Sequence, residues 1–142
     1  MHLIALWHYT VKLFQSFFPT FSSLTIGLIS WFLGLKEFHE ECLAAHNEYR
    51  LRHGAAALQW SAELAWEAQQ WAENLARSGE LRHNDDDTVG ENLAGMAGGE
   101  LTGREATGMW YDEIEDYNFE NPGYSENTSN FSQVIFYGFL SS

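Results

Sequence analysis

Glu113 is the side chain of this sequence whose surroundings most strongly suggest a site. It falls on the apolar side of a predicted helix, three residues after Trp110 and four before Tyr117. A carboxylate among aromatic side chains is costly to bury unless a partner binds it. The polar loop before this helix offers His83 and Glu91, and a histidine between two carboxylates would be a metal-ligand or proton-handling group. The alternative is that Glu113 lies at the edge of the apolar stripe and reaches solvent.

Other reactive residue types in the chain do not form a recognisable site. His39, His46 and His53 repeat every seven residues, so successive imidazoles lie about 10.5 Å apart along a helix and cannot share one metal ion. Cys42 falls on the apolar side of the same helix, which favours a packed thiol over a nucleophile. The sequence contains neither a G-x-S-x-G nucleophile motif nor phosphate-loop spacing in its glycine-rich stretch.

Length and composition narrow the function classes. The chain has 142 residues, with 20 acidic against 7 basic side chains and a formal net charge of −13. That balance excludes a protein that binds the nucleic-acid phosphate backbone, which requires clustered Lys and Arg. A single cysteine excludes both a disulfide-stapled miniprotein and a multi-cysteine zinc module.

The first 36 residues differ from the rest, which predicts a hydrophobic segment 1–36 and a soluble domain 37–142. Residues 13–35 carry no charge, and their apolar centre, residues 24–35, is 12 residues long. That length suits the apolar part of a signal peptide better than a membrane span of about 20 residues. A signal-anchor that associates with the membrane through residues 13–35, or an extension foreign to the domain, are the alternatives.

Hydrophobic periodicity predicts three helices in the soluble domain, over about residues 37–53, after an N-cap at Ser61, and over about 104–117. Gly54 and Gly79 stand where helices end. The glycine-rich residues 90–103 predict a loop, and Asn121-Pro122-Gly123 a turn. The apolar and aromatic tail Phe131–Leu140 predicts a strand.

Four sequence blocks, in this order, resemble the CAP superfamily: His46 to Arg50 (HNEYR), Leu81 to His83 (LRH), Gly90 to Ala94 (GENLA) and Trp110 to Ile114 (WYDEI). The resemblance runs from about residue 38 to 135 and is strongest to the Golgi-associated, pathogenesis-related-1-like branch. It implies an α+β fold, an α-β-α sandwich with a three-stranded antiparallel sheet. It also implies a cleft with two histidines and two glutamates that can bind a divalent metal.

Matched to the family's motifs, the cleft residues are His83, Glu91 and Glu113, with Asn130 where the second histidine belongs. Zinc prefers imidazole, thiolate or carboxylate donors, and an amide oxygen is a poor ligand for it. His83 is therefore a weak metal ligand, and we expect no resident cofactor because tight zinc binding is lost. His83, Glu91 and Glu113 should instead form a hydrogen-bonded structural cluster.

After Ile135 the family continues with further strands, whereas this sequence ends at Ser142. We therefore expect a C-terminally truncated CAP domain whose sheet is incomplete, either as an isoform or through a mispredicted gene end. Asn127 and Asn130 begin overlapping glycosylation sequons, which matter only if the chain enters the secretory pathway.

The resemblance implies a non-enzymatic protein that binds a lipid, a sterol or a protein partner through the His/Glu-lined cleft. The alternatives are a metal-dependent hydrolase with Glu91 or Glu113 as general base, or a truncated product without function. The hydrophobic segment favours the secretory pathway or an extracellular location. The single cysteine favours the Golgi membrane, on its cytosolic face.

Overall fold

The computed structural model describes residues 21–85, 89–96 and 99–136. In these ranges the chain forms four α-helices, α1 (Phe21–Arg52), α2 (Ala62–Ser78), α3 (Gly103–Tyr111) and α4 (Ser129–Ile135). Two 3-10 helices, Asp112–Asp116 and Glu126–Thr128, precede α4. Helices α1, α3 and α4 pack against one another, whereas α2 packs on the irregular segment between α2 and α3.

Helix α1 confirms the apolar periodicity predicted for residues 37–53, and it begins earlier, at Phe21. Phe38, Cys42 and Ala45 are buried at four- and three-residue steps along one face. The helix ends before Gly54, whose φ of 67° is left-handed and suits glycine.

The predicted boundary between residues 36 and 37 falls inside α1, which runs through it without interruption. Residues 1–20 of the predicted hydrophobic segment lie outside the described residues. Of the helices in the described ranges, none has an apolar stretch long enough to cross a lipid bilayer.

Helix α2 has both ends where the sequence predicts them. Ser61 is the N-cap, and its hydroxyl accepts a hydrogen bond from the backbone N–H of Leu64 at 3.4 Å. Gly79 is the left-handed C-cap, with its N–H donated to the carbonyl of Leu75 at 2.9 Å. The buried side of α2 covers apolar side chains of the following segment, so this helix holds that segment in place; the residues are Ala68, Ala72, Leu75, Val89 and Leu93.

The third predicted helix is shorter than expected, because Tyr111 ends α3 and a 3-10 helix continues to Asp116. A capping box starts α3: the Thr102 hydroxyl accepts from the Glu105 N–H, and the Glu105 carboxylate accepts from the Thr102 N–H. Gly103 lies directly against α1, and its N–H donates to Glu41 Oε2 at 3.0 Å. The capping box therefore begins α3 at its closest approach to α1.

The predicted strand over Phe131–Leu140 is wrong for residues 131–135, which form most of α4. Phe131, Val134 and Ile135 are buried, and their spacing of three and four residues places them on one side of a helix. A strand would bury alternate residues instead. Residues 137–140 lie outside the described ranges.

The expected α-β-α sandwich is therefore corrected to a helical arrangement in the part of the chain that the structure describes, where no residue is assigned to a strand. The core at the meeting point of α1, α3 and α4 also receives Ala94 and Leu101 from the irregular segment. Trp110 donates its indole N–H to the Leu93 carbonyl at 3.0 Å, which ties that segment to α3.

Candidate functional site

His83 and Glu91 form the first pair of the candidate site, on the segment between α2 and α3. His83 Nδ1 lies 2.6 Å from Glu91 Oε1. A carboxylate oxygen accepts, so Nδ1 carries the proton. The same oxygen accepts from the Asn84 backbone N–H at 3.0 Å. The Glu91 side chain is 9% exposed and that of His83 68%, so the carboxylate is held inside while the imidazole faces solvent.

Glu113 belongs to a second pair, and its partners differ from those the sequence suggested. Asn130 Nδ2 donates to Glu113 Oε1 at 2.7 Å, and the Phe131 backbone N–H donates to Oε2 at 3.1 Å. The expected partners His83 and Glu91 do not make these bonds. Glu113 is half-buried, and both of its oxygens accept, which meets the need of a partly desolvated carboxylate.

Asn92 connects the two pairs. Its side chain, in a residue only 5% exposed, donates to the Asn130 carbonyl at 3.1 Å, and it follows Glu91 directly in the chain. His83, Glu91, Asn92, Glu113 and Asn130 are called the paired-carboxylate network below. Asn92 lies within the GENLA block, but its residue type and position alone do not mark it as a site residue; the burial of its amide does.

Gly90 fits this network because α4 approaches it closely. A Cβ atom built on Gly90 would overlap the side-chain amide of Gln133 in α4. A larger residue at position 90 would therefore require the flexible Gln133 side chain to move aside.

The residues present do not fit the divalent-metal site that the family resemblance implies. Among the described residues, no three His, Cys, Asp or Glu side chains are grouped so that they could hold a metal ion. Asn130, in the place of the second histidine, directs its amide nitrogen at Glu113, and an N–H donor cannot ligate a cation. Zinc binding at micromolar affinity is therefore not expected.

Two buried side chains of α1 do not belong to the network: Cys42, which is part of the core, and His46. Cys42 is 1% exposed, and its thiol donates to the Gly103 carbonyl at 3.4 Å. The prediction of a packed cysteine is confirmed by this burial, and burial also raises the pKa of the thiol far above its ordinary value, which favours an unreactive thiol. His46 Nδ1 donates to the Cys42 carbonyl at 2.9 Å, and burial lowers the pKa of this imidazole to about 4.

The two glycosylation candidates differ in accessibility. Asn127 is exposed, in the 3-10 helix Glu126–Thr128. Asn130 is partly buried and uses its amide nitrogen to bind Glu113. Of the two, Asn127 is the residue that a glycan can occupy without breaking a contact of the network.

Comparison with known proteins gives a family match over most of the described ranges. The sequence model of the CAP group, described as the cysteine-rich secretory protein family, matches residues 43–136. This span contains all five residues of the paired-carboxylate network.

Individual relatives agree with this match. The chain is 43% identical over 103 residues to human "Golgi-associated plant pathogenesis-related protein 1", covering 70% of this chain and 66% of that protein. It is 38% identical to "Protein PRY2" of Saccharomyces cerevisiae, over 72% of this chain and 30% of that protein. It is 36% identical to "Secreted protein RBT4" of Candida albicans, over 73% of this chain and 29% of that protein. The chain thus spans less than two thirds of the length of each.

Proposed function

Because the chain belongs to the CAP family, we propose that it is a non-enzymatic binding protein that takes a lipid or sterol through the surface around the paired-carboxylate network. A protein partner at the same surface is the alternative within this proposal. The observation that carries it is the hydrogen bonding of Glu91 and Glu113, both of which already accept from two donors.

The hydrogen bonds favour a structural role for both carboxylates. A general base must be free to take a proton from a substrate or a water molecule. Glu113 instead joins the 3-10 helix Asp112–Asp116 to the start of α4. Glu91 holds His83 and the backbone of Asn84. The network therefore fixes the shape of a binding surface and leaves the exposed His83 imidazole as its polar group.

Equilibrium binding of a fluorescent sterol and of phospholipids to the full chain tests this proposal. Asn130→Ala removes the amide that binds Glu113. Because that hydrogen bond to a charged group is worth about 1.5 to 3 kcal/mol, its loss should release Glu113 from α4, change the shape of the surface and weaken ligand binding at least about fivefold. Asn127→Ala, three residues earlier and exposed, is the matched control and should bind like the wild type. Chelator should have no effect.

If the folded chain binds no sterol and no phospholipid class, the lipid proposal is wrong and the protein-partner alternative replaces it. Equal affinity of Asn130→Ala and the wild type would place the ligand elsewhere on the molecule.

A metal-dependent hydrolase is the competing function. The feature that favours it is the pair formed by the buried Glu91 carboxylate and the exposed His83 imidazole, whose Oε1 and Nδ1 atoms lie 2.6 Å apart. Calorimetric titration with zinc separates the two. We expect no micromolar binding. Micromolar binding that His83→Ala abolishes would instead establish the metal-dependent alternative.

We propose a location in the secretory pathway or outside the cell, with the cytosolic face of the Golgi membrane as the alternative. The names of the relatives, one secreted and one Golgi-associated, support this range. Expression of the full chain in cultured cells followed by glycosidase treatment distinguishes the two. A mobility shift that Asn127→Gln removes places the chain in the lumen, whereas an unglycosylated chain that external protease digests on isolated Golgi membranes places it on the cytosolic face.

A further inference from the structure

A groove of about 450 Å³ lies on α1, and no residue of the paired-carboxylate network lines it. Its volume is within the range of small-molecule sites. Two successive turns of α1 and one side chain from the segment that joins α1 to α2 form its walls: Leu35, Lys36, His39, Glu40, Leu43 and Trp60.

The floor of this groove is apolar and uncharged. Leu35, His39 and Leu43 follow one another at four-residue steps and form one stripe on α1. The Trp60 ring lies against the His39 ring, with the ring centroids 4.5 Å apart. Burial lowers the pKa of His39, which favours the neutral imidazole. Trp60 remains 39% exposed, which leaves its indole accessible to a ligand.

The rim of the groove carries one cation beside one anion. Lys36 Nζ lies 3.3 Å from Glu40 Oε1, with both side chains well exposed, at 71% and 68%. A pair this exposed contributes little to stability, so both groups can turn to a ligand. An ammonium beside a carboxylate is complementary to a zwitterionic phospholipid headgroup, whose phosphate and amine lie side by side.

The groove continues an apolar stretch of the same helix. Residues 21–35 form the first half of α1 and contain no charged residue, and Leu33 is 62% exposed. Trp60 lies beside Lys36, the residue at which the apolar stretch of α1 gives way to charged residues, and tryptophan is enriched at membrane–water interfaces. Because the chain carries a net charge of −13, anionic lipid surfaces repel it.

From the floor, the rim and this continuity, we propose that the groove on α1 seats a zwitterionic phospholipid and docks the chain on a membrane surface. This surface is separate from the one assigned to the paired-carboxylate network. It holds one lipid at the point where α1 leaves the interface, with Lys36 at the phosphate, Glu40 at the amine and Trp60 beside the acyl chain.

Flotation of the full chain with phosphatidylcholine vesicles tests this proposal. Leu43→Asp and Trp60→Ala should each lower the bound fraction at least about fivefold. Leu51→Asp, on the same helix and 78% exposed, and Trp66→Ala, 66% exposed on α2, are the matched controls and should float like the wild type. Adding phosphatidylserine to the vesicles should reduce binding.

Tryptophan quenching supplies a test that does not depend on a destabilising variant. Brominated phosphatidylcholine should quench part of the wild-type fluorescence, and Trp60→Phe should reduce that quenching, with the remainder due to Trp31 in the apolar stretch. Trp60→Phe should bind the fluorescent sterol like the wild type, because Trp60 lines the groove and does not belong to the network, which separates failure of this proposal from failure of the proposed function.

Three results would overturn the proposal: wild-type flotation of both groove variants, stronger binding to phosphatidylserine vesicles, or a dimer in solution that Trp60→Ala dissociates and that does not float. The third result would identify a second copy of the chain as the occupant of the groove.

Discussion

At the residue scale, Arg50 shows how one buried cation holds two distant parts of the chain. It is 2% exposed. Its guanidinium donates to the carbonyls of Val134 and Ile135 at 2.9 Å each, and its Nε to that of Ala56 at 2.7 Å. The two carbonyls at the end of α4 have no intrahelical partner, so Arg50 of α1 supplies the missing donors.

Arg50→Met keeps most of the aliphatic volume but removes every donor. We expect it to lower the free energy of unfolding by about 3 kcal/mol, because buried carbonyls without partners cost about 1 to 3 kcal/mol each before relaxation. Urea unfolding measures this change. Arg52→Met is the control on the same helix: its ion pair with Glu48 is exposed and should cost less than about 1 kcal/mol. If Arg50→Met and Arg52→Met lowered the unfolding free energy equally, the hydrogen bonds of Arg50 would add nothing to the packing of its side chain.

His46 makes stability depend on pH. Burial lowers its pKa in the folded chain to about 4, against an ordinary 6.5, so the unfolded chain binds the proton more tightly. Stability is therefore complete above pH 6.5 and is lost as the pH falls towards 4, by about 3 kcal/mol for this group. His46→Asn should flatten the profile of unfolding free energy between pH 7 and pH 4. Parallel profiles for wild type and variant would contradict this prediction.

At the element scale, the contact between α1 and α3 depends on a glycine. A Cβ atom at Gly103 would overlap the Phe38 carbonyl oxygen and lie 2.7 Å from the Cys42 backbone nitrogen. Backbone atoms of a helix cannot move aside as a flexible side chain can. Gly103 therefore fixes the separation of the two helices on which the core is built.

Gly103→Ala should lower the unfolding free energy by about 2 kcal/mol, since overpacking of a filled site typically costs about 1 to 3 kcal/mol. Gly108→Ala is the control within α3, because the nearest atom to a new Cβ there is Tyr49 Oη at 3.7 Å. This change should stabilise the chain by up to about 1 kcal/mol through helix propensity. Chemical denaturation measures the unfolding free energy of both variants. If Gly103→Ala raised that free energy, α1 and α3 would be able to move apart without loss of stability.

At the scale of the whole molecule, the excess of acidic side chains opposes folding through like-charge repulsion. The net charge is −13, and local ion pairs such as Arg104 with Glu48 at 2.9 Å offset only part of it. Salt screens repulsion between exposed charges over about 10 Å at 0.1 M. At low salt, the repulsion therefore extends across the whole molecule and is not confined to neighbouring side chains.

Raising the sodium chloride concentration from about 0.01 M to 0.15 M, where the screening length falls from about 30 to 8 Å, should increase the unfolding free energy at pH 7. Thermal unfolding followed by circular dichroism shows whether the stability rises or falls with salt. A neutral osmolyte at matched osmolality is the control. A fall in stability with salt would mean that the local ion pairs outweigh the overall repulsion.

The sequence by itself determined the features that rest on neighbouring residues. The start of α2 at Ser61 and its end at Gly79 follow from capping chemistry, and the buried face of α1 follows from three- and four-residue spacing. The family blocks also identified His83, Glu91, Glu113 and Asn130 as one set, because their order along the chain is readable without coordinates.

Only the tertiary structure decided how these residues pair. The sequence assigned Glu113 to His83 or Glu91, whereas the folded chain binds it to Asn130 and the backbone of Phe131. It also assigned a strand where α4 forms, because the tail from Phe131 to Leu140 is mostly apolar and aromatic, and a short apolar run does not distinguish a strand from a buried helix. Donors from α1, 84 and 85 residues away, complete that helix end. Contacts between groups so distant in the chain depend on packing, and packing is not encoded in local spacing.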